Sequence, residues 1–153
     1  NLRLPLWPDA DAARKGMLLG LSKAHIVKLS DDESEFLTGL SDLKAACQAL
    51  WHEDLKLMVV TRGRAGCVYF TPNFIGMVES VTVEAVDATG AGDGFVAGLL
   101  QGLLADPTLI QDEARLRELC RFANAVGALA TTERGAIPAL PDRERVREFL
   151  CAQ

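Results

Sequence analysis

The sequence predicts a layered α/β fold, and three observations carry that expectation. Strand-like and helix-like runs alternate along the chain. The run at residues 55–61 is rich in Leu and Val and apolar on both faces, as strands covered by helices on both sides are. A strand-like stretch ending at Val86-Asp87 breaks at Ala88-Thr89-Gly90-Ala91-Gly92-Asp93 and passes straight into a helical pattern.

The elements follow in chain order. Residues 1–8 lack a Met and resemble neither a signal nor a transit peptide. They read as the end of a strand entering a loop, so the chain is expected to begin in mid-domain with a preceding portion missing. Pro8-Asp9 opens a helix with acidic residues in its first turn, where the dipole favours them. Residues 24–29, with β-branched Ile26 and Val27, predict a short buried strand. Ser30-Asp31-Asp32-Glu33 starts a short helix that Thr38-Gly39 closes, and Ser41-Asp42-Leu43 caps a helix reaching Trp51. After the central strand, Arg62-Gly63-Arg64-Ala65-Gly66 turns the chain into Cys67-Val68-Tyr69-Phe70. Residues 74–78 and 81–86 add extended stretches, the second alternating Val81, Val83 and Ala85, which predicts a hairpin of three short strands. Helices are expected over residues 92–104, 112–130 and 142–150, with a loop over 131–141 carrying Gly135, Pro138 and Pro141. No repeat, low-complexity segment or linker interrupts the chain, and residues 1–153 read as one unit.

Composition narrows the function. Apolar residues make up 49% and charged residues 24%, enough to build a core. A net charge of -5, without a Lys/Arg cluster or an aromatic stripe, argues against a nucleic-acid partner. The longest apolar run, residues 95–105, is interrupted by Gln101 and falls short of the ~20 residues a membrane span needs. Cys47, Cys67, Cys120 and Cys151 sit among apolar neighbours with no C-x-x-C pair, and no N-x-[ST] acceptor occurs. That pattern predicts free thiols in a reducing, intracellular compartment. His25 and His52 have no partner spacing and read as surface or satisfied residues. Gly94, Gly98 and Gly102 recur every fourth residue along one helix face, which predicts close helix packing.

The chemistry concentrates at Gly90, Ala91, Gly92 and Asp93. A strand end followed by small residues and a helix start aims free N–H groups and the positive end of a helix dipole at one point, a site for a phosphate oxyanion. Glycine permits close approach there. Asp93, in the first turn, places an acceptor-only carboxylate beside the anion hole, able to take a proton from a hydroxyl while the hole stabilises the phosphoryl group being attacked. The chain has no G-x-x-x-x-G-K-[ST] and lacks the third glycine of a dinucleotide fingerprint. Taken alone, G-x-G-D also fits an Asp that merely caps a helix.

The run Asp87-Ala88-Thr89-Gly90-Ala91-Gly92-Asp93 resembles the second signature of the ribokinase-like (PfkB) carbohydrate kinases, usually D-T-T-G-A-G-D, and departs from it only at Ala88. The stretches at residues 1–8, 26–30, 35–39, 122–125 and 135–141 look like plant fructokinases in particular. The resemblance implies the C-terminal, nucleotide-binding part of a ribokinase-like three-layer α/β/α sandwich, with the N-terminal sugar-binding and lid part absent. It implies transfer of a phosphoryl group from ATP to a sugar hydroxyl, foremost fructose to fructose 6-phosphate, with Asp93 as general base. Thr61-Arg62-Gly63-Arg64-Ala65-Gly66 is similar to the family's T-x-G-x-x-G nucleotide loop, which assigns Thr61, Gly63 and Gly66 to ATP. Asn124 matches an adenine-side contact, with a helix–helix hydrogen bond as the competing role. Glu33, in the family's N-x-x-E position with Ser30 in place of Asn, would act through water on Mg²⁺, unless it merely favours a helix N-terminus. Asp87, Thr89, Thr131 and Gly135 resemble a monovalent-cation site for K⁺, although Ala139 stands where ribokinases often carry a Ser. Arg3 falls in a stretch that approaches the sugar in related kinases. The implied partners are ATP and a small sugar, with a homodimer as a permitted assembly and the cytoplasm, or a plastid, as the location. Kinases of ribose, nucleosides or ketodeoxygluconate, and a non-catalytic assembly protein of the same fold, remain as alternatives.

Overall fold

The computed structural model describes residues 2–152; Asn1, part of the expected opening strand, lies outside them. The regular elements are α1 (Ala10–Leu21), β1 (Ile26–Ser30), α2 (Asp31–Thr38), α3 (Leu43–Leu50), β2 (Leu57–Thr61), β3 (Cys67–Phe70), β4 (Ile75–Val78), α4 (Ala91–Ala105), α5 (Glu113–Leu129) and α6 (Arg143–Cys151). The fold is mixed α/β, as expected, with strand order β1-β2-β3-β4.

The chain divides into two compact units. The first holds the residues up to Arg62 together with Tyr69–Ile75; the second holds Gly63–Val68 and the chain from Gly76 onward.

In the first unit β1 and β2 pair in parallel, with Ile26 opposite Leu57 and Ser30 opposite Thr61. β2 is an interior strand, and Leu57, Met58, Val59 and Val60 are all fully buried. This is the double-sided burial that its continuous apolar run predicts. Each helix start carries its own cap. Asp9, Ser30 and Asp42 accept the amides of Ala12, Glu33 and Ala45, and Gly39 closes α2 in the left-handed conformation at φ 72°. Helix caps of this kind contribute about 1 kcal/mol each. His52 Nε2 lies 3.0 Å from the Leu21 carbonyl, a satisfied residue as expected.

Among the described residues, the opening segment forms a turn and no strand. Leu4–Leu6 forms a 3-10 turn with Pro5 in its first positions, and the Leu6 and Trp7 amides donate to the carbonyls of Arg3 and Leu4. Pro5 fixes φ near helical values, which a local turn satisfies as well as an extended segment does.

In the second unit α4 packs on α5 through the expected glycine face. A Cβ on Gly98 would lie 3.0 Å from the Ala123 Cα, and one on Gly94 would lie 3.3 Å from the Val126 carbonyl oxygen. Those glycines bring two helix backbones close together, and Phe95, Leu99, Leu116, Cys120 and Ala123 are buried around them. Burying a Leu or Phe fully contributes about 1.5–3 kcal/mol.

The third expected strand is absent: residues 81–86 adopt no regular structure. Val81 and Val83 instead pack against a cluster of Ala125, Val126, Leu129 and Val146 from α5 and α6. Their alternation correctly marks one inward face, but a strand also needs a partner ladder, which alternation cannot supply. All four cysteines are free; Cys47, Cys67 and Cys120 are buried, whereas Cys151 is exposed on the last turn of α6, against expectation.

Candidate active site

The second unit holds the glycine-rich turn. Gly90 is the N-cap of α4 in the left-handed conformation at φ 85°, which an L side chain resists. A Cβ there would also meet Ala136 at 2.8 Å, so the turn lies directly against the loop that follows α5. The Ala91 amide donates to the Ala88 carbonyl at 3.2 Å, and the Gly94 amide to the Gly90 carbonyl at 2.8 Å. Asp93 stands exposed in the first turn of α4, where the helix's positive end favours an anion.

Two connections hold this turn to the loop after α5. The Thr131 carbonyl accepts the amides of Val86 at 2.7 Å and Asp87 at 3.1 Å. The Asp87 carboxylate accepts the Thr89 amide at 2.9 Å and the Gly135 amide at 3.3 Å. The Thr89 hydroxyl, the two amides and nearby Arg134 hold the Asp87 carboxyl below its ordinary range. The loop is in turn fixed to α6 by Arg145, which pairs with Glu133 at 3.0 Å. The structure thus brings Asp87, Thr89, Gly90, Thr131 and Gly135 together from two separate parts of the sequence.

These residues fit a monovalent cation only in part. A carbonyl oxygen has two lone pairs, and both on Thr131 face amides, so the expected Thr131 ligand serves as a clamp. Asp87, Thr89 and Gly135 remain for such an ion.

Gly66, at φ 82°, permits a crossing of two backbones: a Cβ would lie 2.0 Å from the Val78 carbonyl oxygen and 2.6 Å from the Ser80 nitrogen. Asn124 secures the same segment from α5. It is buried, and its side-chain nitrogen donates to the carbonyls of Val78 at 3.3 Å and Glu79 at 3.2 Å. Asn124 therefore sits as a positioning residue at the end of β4, bonded to the backbone of Val78 and Glu79 and not to another helix. Gly63, at φ 53°, has open space around it.

The remaining expected site residues belong to the first unit. Thr61 ends β2, and its hydroxyl donates to the Leu29 carbonyl at 3.3 Å. Arg3 is exposed. Glu33 is buried and closes a capping box: its amide donates to Ser30 Oγ at 3.1 Å, and its carboxylate accepts the Ser30 amide at 2.8 Å. Its other oxygen accepts the Leu2 amide at 2.6 Å. Burial pushes the Glu33 carboxyl up, but the Ser30 and Leu2 amides and the charge of Lys28 outweigh it and leave it lowered. Among the described residues no three His, Cys, Asp or Glu converge as a metal-ligand set. An ion such as Mg²⁺, which keeps most of its waters and binds phosphate oxygens, does not require one.

Sequence reasoning missed three contributors. Gly127 on α5 lets the Ala91 carbonyl approach, since a Cβ there would lie 2.8 Å from that oxygen. Ala136 is small enough for Gly90 to rest on it. Neither carries a sequence signal, because each is defined by a contact distant in sequence. The capping box at Ser30 and Glu33 did carry one, the S-x-x-E spacing before an apolar run.

The chain as a whole is similar to a group of known proteins. The chain is 51% identical over 153 residues to probable fructokinase-7 of Arabidopsis thaliana, covering 98% of this chain and 45% of that protein. A double mutant of the Vibrio cholerae O395 fructokinase, solved in fructose-, ADP- and potassium-bound form, superposes with a TM-score of 0.89 at 36% identity, covering 97% of this chain and 48% of the other. The Xylella fastidiosa fructokinase with bound ATP gives a TM-score of 0.90 at 33% identity, covering all of this chain and 50% of the other. The chain thus spans about half the length of the relatives it matches. The fold is the ribokinase-like one of those structures, and the family described as pfkB family carbohydrate kinase matches residues 1–143: this chain belongs to the pfkB family of carbohydrate kinases.

Proposed function

We propose that the protein to which this chain belongs phosphorylates a sugar hydroxyl from ATP, with fructose as the preferred substrate and the 6-hydroxyl as the acceptor. The observation that carries the reading is the start of α4, with Gly90 in the left-handed cap and Asp93 exposed one turn in.

In this reading Asp93 accepts the proton of the attacking hydroxyl. The amides of Gly90, Gly92 and Asp93 and the α4 dipole would hold charge on the transferring phosphoryl group, whereas the expected Ala91 amide is engaged by the Ala88 carbonyl. Phosphoryl transfer needs little covalent chemistry from the protein, so positioning and electrostatics carry the rate. Asp87 and Thr131 set the turn's position by tying it to the loop at Gly135. Thr61, Gly63 and Gly66 would border the nucleotide, with Asn124 holding the Val78–Glu79 backbone beside Gly66. Arg3 would approach the sugar.

Mg²⁺, when bound to the triphosphate, neutralises its charge, and Glu33 would reach it through water. K⁺ would be held by Asp87, Thr89 and Gly135 and would supply positive charge near the glycine-rich turn. The test is a coupled assay of the full-length protein across hexoses, pentoses and nucleosides with ATP. Turnover is expected to be highest with fructose; equal or better turnover with a nucleoside would overturn the substrate, and turnover with none would overturn the activity.

A further inference from the structure

Cys67 opens β3 and Cys120 lies on α5, yet both are fully buried and their side chains are hydrogen-bonded to each other. Both are free thiols. Asn124 follows Cys120 one helical turn later, on the same face of α5. Its side chain is also hydrogen-bonded to Cys67, and its nitrogen donates to the carbonyls of Val78 and Glu79. The two thiols and the Asn124 brace form one buried cluster. Gly66, the residue before Cys67, is where the Val78–Ser80 backbone crosses at close range.

The two thiols differ. Hydrogen bonds with Cys120 and Asn124 hold the Cys67 thiol below its ordinary range, against the opposing effect of burial. The hydrogen bond to Cys67, together with burial, pushes the Cys120 thiol up. Cys67 is thus the sulfur that ionises, and Cys120 is the protonated partner beside it. Cys47 is the contrast: it is buried as well, but burial alone acts on its thiol and pushes it up to about 11. A buried thiol with no partner is inert. An ionisable thiol in contact with a second one is placed for that partner to resolve its oxidised form.

We propose that Cys67 and Cys120 are a reversible oxidation site: hydrogen peroxide converts the pair to a disulfide, which draws Cys67 away from Asn124 and loosens the backbone at Val78 and Glu79. The Cys67 sulfur attacks one peroxide oxygen, the O–O bond breaks, and the departing hydroxide takes up the Cys67 proton as water. Cys67 is left as a sulfenic acid. The Cys120 sulfur then attacks the Cys67 sulfur. The S–S bond forms, and the hydroxide released from Cys67 leaves with the Cys120 proton as a second water. The two thiols lose two electrons, the peroxide gains them, and a dithiol reductant reverses the change. Full burial means that peroxide enters through local opening, so the pair reacts more slowly than an exposed thiol. The effect on ATP rests on the assignment of Gly63 and Gly66 to the nucleotide; the linkage itself does not.

The test treats the full-length protein with hydrogen peroxide, blocks the remaining thiols and maps the linked peptides by mass spectrometry without reduction. A peptide pair joining Cys67 to Cys120 is expected, absent after dithiothreitol, with Cys47 recovered as a free thiol. Amide exchange at Glu79 and Ser80 is expected to quicken at least ~10-fold in the oxidised protein. ATP affinity is expected to fall ~5–150-fold, the usual range of coupling between two sites, and to return on reduction. Cys120→Ala is expected to abolish the linked peptide and the peroxide-driven change in exchange. Oxidation of the exposed Cys151 while Cys67 and Cys120 are recovered as free thiols would overturn the proposal. So would a linked peptide with exchange at Glu79 and Ser80 unchanged. Reduced protein that binds no ATP would overturn the nucleotide assignment alone, because the peptide and exchange readings do not use ATP.

Discussion

The carboxylate of Asp87 accepts the backbone amide of Gly135, 48 residues further along the chain, at 3.3 Å. With the Thr131 carbonyl taking the amides of Val86 and Asp87, this bond fixes the glycine-rich turn against the loop after α5. Asp87→Ala removes it and the Thr89 contact together. Turnover in the full-length protein is expected to fall by up to ~10²-fold, the scale on which a displaced positioning group acts. Steady-state kinetics checks this; unchanged turnover would mean that the two loops hold their places without the carboxylate.

Asp93→Asn keeps size and hydrogen-bonding capacity but removes the base. Turnover is expected to drop by ~10²–10⁴-fold, with ATP affinity unchanged or slightly higher because a negative charge beside the triphosphate is lost. Gly92→Val should instead weaken ATP binding, since a side chain would intrude where phosphate meets the backbone. Calorimetric ATP affinity and turnover, measured on both variants, separate base from helix cap. A variant at Asp93 that keeps its turnover while losing thermal stability would make Asp93 a cap only.

Gly127 and Gly102 both sit on packed helix faces, yet substitution should affect them differently. A Cβ on Gly127 lies 2.8 Å from the Ala91 carbonyl oxygen, whereas one on Gly102 lies 2.3 Å from the end of the Leu119 side chain. Leu119 can change rotamer; the start of α4 cannot move without disturbing the turn. Gly127→Ala is expected to destabilise by about 1–3 kcal/mol and to reduce turnover. Gly102→Ala should be near neutral, because a helix-propensity gain of about 1 kcal/mol offsets the rearrangement. Urea unfolding of the two variants decides it.

Asn124→Ala leaves the carbonyls of Val78 and Glu79 without their side-chain donor. Loss of the partner to the buried Val78 carbonyl costs about 1–3 kcal/mol, and the segment that Gly66 crosses should loosen. A lowered unfolding midpoint, with faster amide exchange confined to the region around residues 66–80, is the expected signature.

Asp106 gives a pH dependence of defined sign. The Thr108 hydroxyl at 2.6 Å, the Arg115 guanidinium and the Thr108 amide hold its carboxyl at about 2. A folded-state value below the ordinary ~3.9 of Asp means its stabilisation is complete above that pH and fades as pH falls toward 2. Asp106→Asn should therefore lower the melting temperature at about pH 7, and its difference from the parent chain should shrink between about pH 4 and pH 2. A difference that stays constant across that window would show that the contribution of Asp106 is not electrostatic.

The sequence by itself determined what depends on nearest neighbours. Asp9, Asp42, Asp112 and Asp142 announce helix starts because a short carboxylate reaches an amide three residues on. Gly90 followed by Ala91, Gly92 and Asp93 announces a tight turn into a helix with a carboxylate in its first turn, since both are local properties. The burial of β2 is likewise written in its unbroken apolar run.

Tertiary structure alone decided the rest, for one physical reason: those features are contacts between residues far apart in the chain. Residues 81–86 alternate as a strand would, but their inward valines meet helices α5 and α6 instead of a ladder. Thr131 looks like a ligand until its carbonyl is seen to hold two amides. That the Asn124 side-chain nitrogen donates to the Val78 and Glu79 carbonyls, 46 and 45 residues back, is visible only in the folded chain. Gly127 carries no motif at all, and matters because the Ala91 carbonyl approaches it from another helix. A pattern in sequence can state that a face is buried or a backbone is free to turn; only the folded chain chooses what lies against it.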